Sequence, residues 1–210
     1  MNYINELVER YPLLDKNKND IMTVCETLEN CFESGGKLMI CGNGGSCADA
    51  EHITGELMKG FLKKREISAE QKAQMKGICP EIDSVLLESL QKGLPVIPLD
   101  GCSALNTAFA NDCNPEFIYA QQVLGYAKTG DVFLGISTSG NAKNVYDAAC
   151  VAKALGLFTV ALSGKDGGKL KGISDISIVV DENETFKIQE LHLPVYHAIC
   201  ATVEEYFFKS

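Results

Sequence analysis

Residues 37–57 read KLMICGNGGSCADAEHITGEL. A short apolar run (37–41) gives way to a glycine turn, Gly42-Asn43-Gly44-Gly45-Ser46, and then to a helical stretch over 47–61. The same order recurs three times. Residues 131–136 lead to Ser137-Thr138-Ser139-Gly140-Asn141 and a helical stretch over 142–155. Residues 158–162 lead to Ser163-Gly164-Lys165-Asp166-Gly167-Gly168 and a short helix, and residues 176–180 lead to a long last helix over 184–208. Short apolar strands alternating with helices predict a parallel sheet covered on both faces. The expected fold is α/β, a three-layer αβα sandwich of about five strands, with ligands beyond the carboxyl ends of the strands.

Outward from that core, residues 1–35 read as two helices broken near Pro12. Ile4, Leu7 and Val8 repeat at helical spacing, as do Ile21, Val24, Cys25 and Leu28, and Gly35-Gly36 ends the second helix. Residues 62–95 interrupt the strand-helix rhythm and read as a helical insertion. Ser68 with Gln71 forms a capping-box pattern, and Asp83 can cap a second helix through Leu86, Leu87 and Leu90 to Gly93. The whole stretch 1–210 is expected to be one domain.

Composition narrows the function. With 46% hydrophobic and 22% charged residues the chain is globular and not disordered. No apolar run approaches the roughly 18 residues of a membrane span. The first residues lack a secretory pattern, so a cytoplasmic location is expected. Nineteen basic against 28 acidic residues give a net charge of -9, and only Arg10 and Arg65 are arginines. That excludes nucleic acid as a direct ligand, because phosphate-backbone binding rests on clustered Lys and Arg. Nine cysteines without a CxxC pair argue against a disulfide framework or zinc finger and for a reducing compartment.

The turn at 42–46 aims backbone N-H groups and a helix start at one place, which suits an anion. It is neither a P-loop nor a full dinucleotide fingerprint, and a tight turn without ligand remains open. Ser137-Thr138-Ser139 puts three hydroxyls ahead of a glycine and a new helix; one would suffice for capping, so three point to a non-nucleotide phosphate ester. His52 and Glu56, four apart, share one helix face, as an exposed pair or as metal or acid-base groups. Gln189 and His197 lie eight apart on the last helix, about 80° round and about 12 Å along the axis, so they reach one metal only from opposite sides. Spacing does not select them over His192, which reads as a packing residue.

Together the stretches CGNGGSCADAEHITGEL, GISTSGN, LSGKDGG and KIQELHLPVYH resemble, in order and spacing, the SIS family of phosphosugar-binding proteins, and within it the branch that isomerises sedoheptulose 7-phosphate. The resemblance implies an SIS-type aldose-ketose isomerase with one zinc per subunit on His52, Glu56, Gln189 and His197. It implies Glu56 and His197 as the acid-base pair. Substrate contacts are implied at Asn43, Gly44, Ser46, Glu56, Asn111, Asp112, Ser137, Thr138, Ser139 and Gln189. It also implies a homotetramer with shared active sites, for which the N-terminal helices and the last helix are candidate contacts.

Three departures stand near the expected pocket: Ala142 where the family usually has Ser, Lys59-Gly60-Phe61 where Gly-Arg-aromatic is common, and the long 62–95 connection. They leave an isomerase of another phosphosugar open. A non-catalytic relative that binds the bacterial replication initiator would lack the matches to Glu56 and His197. A sugar-phosphate-sensing regulator usually carries a DNA-binding segment, for which 210 residues leave no room.

Overall fold

The computed structural model describes residues 2–208. Five strands, β1 (Leu38–Cys41), β2 (Val96–Pro98), β3 (Val132–Ser137), β4 (Phe158–Ser163) and β5 (Ile176–Val179), form one sheet in the order β2-β1-β3-β4-β5. Every pairing is parallel. The helices are α1 (Tyr3–Arg10), α2 (Lys18–Glu33), α3 (Gly45–Met58), α4 (Ala69–Ile78), α5 (Ser84–Ser89), α6 (Ser103–Asp112), α7 (Ile118–Tyr126), α8 (Lys143–Ala154), α9 (Gly168–Ile173) and α10 (Thr185–Phe207). The expected αβα sandwich is the observed one.

Strand side chains alternate between faces, and this sorts the apolar runs into two cores. Leu38, Ile40, Leu134, Ile136, Val160 and Leu162 pack with residues of α1, α2, α3 and α10. Met39, Cys41, Phe133 and Ala161 pack with α7, α8 and α9 on the other side. A strand buried on both faces needs apolar residues at every position, which is why these runs are continuous and not alternating.

The chain winds one way from β1 to β2 and the other way from β1's far side through β3, β4 and β5. The direction reverses between β1 and β3, and such a switch point leaves a crevice beyond the strands' carboxyl ends. The loops after β1 and β3 flank that crevice.

Residues 62–95 carry two helices, α4 and α5. Ser68 and Gln71 form the capping box of α4, and the Asp83 carboxylate accepts from the Val85 and Leu86 N-H groups at the start of α5. The second helix stops at Ser89, short of Gly93, because Leu90 turns extended and Glu66 bridges to Gln91. No residue of α4 is buried, and only Leu87 of α5 is. Sequence periodicity places no helix between 99 and 130; α6 and α7 occupy that stretch, and α6 buries no residue that would mark it. Among the described residues no helix is long and apolar enough to cross a membrane.

Candidate active site

At the crevice two helices begin without side-chain caps. Gly44 precedes α3 at φ 57°, a conformation that favours glycine, and Ala142 precedes α8. The Ser46 and Cys47 N-H groups are taken by the Asn43 and Gly44 carbonyls and that of Val145 by the Asn144 amide oxygen, which leaves the N-H groups of Gly45, Lys143 and Asn144 to face an anion. Ser46 and Ser137 are buried, and Thr138 and Ser139 are half-buried beside them in sequence. The Ser137 hydroxyl accepts from the Ala142 N-H at 3.4 Å and Ser139 from the Asn141 N-H at 3.2 Å. Asn43 and Asn144 span the two loops with reciprocal amide bonds of 2.9 Å each. Tyr119 donates to the Gly42 carbonyl at 2.7 Å and so pins the first loop from below. Gly140 leans on the loop after β4: a β-carbon there would stand 1.8 Å from the Gly167 carbonyl oxygen.

Further along α3 a second group of polar side chains assembles. His52 Nε2 lies 3.1 Å from Glu56 Oε1 and 3.5 Å from His197 Nε2. The four-residue spacing on α3 places His52 over Glu56, and α10 brings His197 alongside. The other oxygen of Glu56 faces the Lys59 ammonium at 3.5 Å, and the Phe61 ring centroid is 5.5 Å from that of His197. Two of the residues that depart from the family pattern thus touch this group. Burial pushes the His197 imidazole below its ordinary value, His52 adds to the shift, and Glu56 opposes it. A groove of about 450 Å³ between α1 and α10, lined by Tyr3, Leu7, Tyr11, Leu193 and His197 among others, opens onto the same histidine.

The end of α3 is held by a fully buried ion pair. Arg65 Nε donates to Glu204 Oε1 of α10 at 2.8 Å, and its other nitrogens donate to the carbonyls of Glu56 and Leu57. Glu204 also accepts from the Phe61 and Leu62 N-H groups at 2.8 and 2.7 Å. These bonds fix the turn that follows Glu56.

Gln189 lies beside Gly45, at the start of α3. Gln189 meets Gly45 and His197 meets His52, so α3 and α10 run side by side in one direction. A residue eight before His197 therefore lands about two turns toward the crevice. There the missing β-carbon of Gly45 makes room for the Gln189 amide: an added β-carbon would stand 2.0 Å from its Nε2. Imidazole and carboxylate donors suit zinc, and 3.1 and 3.5 Å are close to the edge of about 3.4 Å in a zinc tetrahedron. Yet among the described residues no group of three His, Cys, Asp or Glu side chains is placed to hold an ion. Asn111 and Asp112 lie exposed at the end of α6; the Asn111 amide donates to Asp112 at 2.8 Å, and neither side chain bonds to the crevice loops.

Spacing did not single out Tyr119, Asn144, Arg65, Glu204, Asp49 or Tyr196. The last two belong to the histidine group: Tyr196 reaches His52 Nδ1 at 3.0 Å and donates to Asp49 at 3.3 Å. Asp49 was open to detection, because it lies three before His52 on the same face.

A parallel sheet with glycine and hydroxyl loops at its switch point defines a class, and the family comparison agrees. The chain belongs to the SIS domain family, whose model matches residues 1–94 and 90–164. Within that family it groups with the phosphoheptose isomerases and so among enzymes. The phosphoheptose isomerase of Helicobacter hepaticus is 38% identical over 88% of this chain and 81% of its own. That of Crocosphaera subtropica is 41% identical over 84% and 77%. Solved phosphoheptose isomerases from Neisseria gonorrhoeae and Francisella tularensis align over 96% of this chain and 94% and 96% of theirs, each with a TM-score of 0.75 and 28% identity.

Proposed function

We propose that the chain interconverts D-sedoheptulose 7-phosphate and D-glycero-D-manno-heptose 7-phosphate through an enediol. The observation that carries this reading is the placement of two unlike groups along one helix. At its start lie Asn43, Gly44, Ser46 and the Gln189 amide, tied through the Asn43–Asn144 bonds to α8, whose preceding loop carries Ser137, Thr138 and Ser139. The Glu56, His52 and His197 side chains meet further along α3. Ser46 and His52 are six residues apart, about 9 Å along the axis. That separation fits a sugar whose phosphate and carbonyl carbon are several carbons apart.

Moving hydrogen between adjacent carbons needs a base for the carbon-bound proton and a shuttle between the two oxygens. Glu56, mostly buried yet open to this face, is the base in our reading. His197, held neutral by burial, accepts and returns the hydroxyl protons. Asn111 and Asp112 are further substrate contacts, for which the substrate or a neighbouring subunit must bring α6 to the site. One zinc per subunit is part of the proposal: His52, Glu56, His197 and Gln189 would offer the donors. No step above depends on it. The enzyme is proposed to work as a homotetramer.

The test is turnover of sedoheptulose 7-phosphate against a panel of ketose phosphates, with and without chelator. Selective turnover of the seven-carbon ester is expected, and preference for another sugar would displace this reading. Glu56→Gln and His197→Gln should each lose about 10²- to 10⁴-fold in kcat. Near-normal turnover in either removes that residue from the mechanism.

A further inference from the structure

His52 presents one ring nitrogen to the reaction group and the other to the buried Tyr196, which has the half-buried Asp49 beside it. Its Nδ1 lies 3.0 Å from the Tyr196 hydroxyl, and that hydroxyl donates to Asp49 Oδ1 at 3.3 Å. Tyr196 is 3% exposed, and its ring meets the His52 ring edge-on with centroids 5.4 Å apart. Among the described residues Tyr196 is the only side chain that donates to Asp49, whose other oxygen is buried without a partner. A phenol has a single proton to give. Given to the carboxylate, it leaves only oxygen lone pairs for His52, and this contact is a hydrogen bond only when Nδ1 carries a hydrogen, which in a neutral imidazole is its single one. Nε2 is then bare, and it is Nε2 that faces Glu56 Oε1 at 3.1 Å and His197 Nε2 at 3.5 Å.

We infer that Tyr196, backed by Asp49, is a positioning residue that locks His52 in the Nδ1-H tautomer, so that His52 does not donate a hydrogen bond to Glu56. His52 Nε2 and Glu56 Oε1 then stand as two neighbouring acceptors, which a substrate hydroxyl or a cation can meet. This is the logic by which an outer partner on one ring nitrogen sets the use of the other. The inference rests on the proposed roles of Glu56 and His197 for its catalytic meaning, though not for the tautomer itself.

The chain has three histidines, which makes a direct test practical. Long-range proton-nitrogen NMR on histidine-labelled, chelator-treated protein at about pH 8, where imidazoles are neutral, reports each tautomer. Assignment comes from the signals lost in His192→Gln and His197→Gln. The expected result is a single Nδ1-H form for His52 in the wild type and a mixture of forms in Tyr196→Phe. Tyr196→Phe should also lower kcat about 10-fold with KM nearly unchanged, the size typical of a lost outer partner. An Nε2-H form in the wild type, or one unchanged tautomer in Tyr196→Phe, overturns the inference. Because the tautomer is read without substrate, a protein that fails the isomerase assay and still shows Nδ1-H defeats the proposed function alone.

Discussion

Two glycines at the crevice look alike in sequence and differ in what they tolerate. A methyl at Gly140 would enter the Gly167 backbone, which cannot step aside, at a φ of 64° that L residues rarely adopt. Gly140→Ala should cost about 2 kcal/mol or more and abolish substrate binding, checked by denaturant titration and calorimetry. At Gly45 the obstacle is the far end of the Gln189 side chain, which can rotate away. Gly45→Ala should therefore move Tm by less than about 3 °C and raise KM instead. His52 and Glu56 stand out because four-residue spacing is a property of one helix. His192 and His197 are five apart, about 140° round the same helix, and only packing decides which faces the core. The structure buries His192 and leaves His197 at the site. Tyr196, an aromatic in an apolar helix, reads as core, and its hydroxyl's partners are invisible without the fold.

Between elements, the decisive joint is the one between α3 and α10. Arg65 and Glu204 are 1% exposed each, and the arginine also holds the carbonyls of Glu56 and Leu57. Removing one partner strands a buried charge, so Arg65→Met should cost about 3 to 5 kcal/mol, and Arg65→Met with Glu204→Gln should recover part of it. Since the same arginine fixes the turn after Glu56, the double variant should still lose kcat more than KM. Lysine would not substitute, because only the planar fork can serve a carboxylate and two carbonyls at once. Strand and helix positions were legible because buried strands and the glycine turns between them leave plain marks. The 99–130 stretch was not, because α6 lies on the surface with no buried stripe. The single basic cluster, Lys63-Lys64-Arg65, reads as a solvated face, and its arginine turns out to be the most buried cation of the crossing.

Over the molecule as a whole, acid stability should carry the signature of His192. Burial pushes it down to about 4, and a backbone hydrogen bond at Ser163 only opposes the shift. The unfolded chain takes up a proton near its ordinary value of 6.5, which the folded chain refuses until about 4. Stability should thus fall by about 3 kcal/mol as pH drops through that window, and then level off for this group. Chemical denaturation at several pH values should show a shallower acid limb in His192→Gln. A second molecular property is assembly: light scattering should give four times the mass of one chain, and a fully active monomer would remove the tetramer from the proposal. Pro98 bears on how such copies meet. It sits in β2, the three-residue strand at one margin of the sheet, and has no N-H to offer a neighbouring backbone. Along that border another chain's strand finds a broken ladder, so the β2 side of the sheet resists runaway polymerisation and leaves helical surfaces as the route to a closed, finite oligomer.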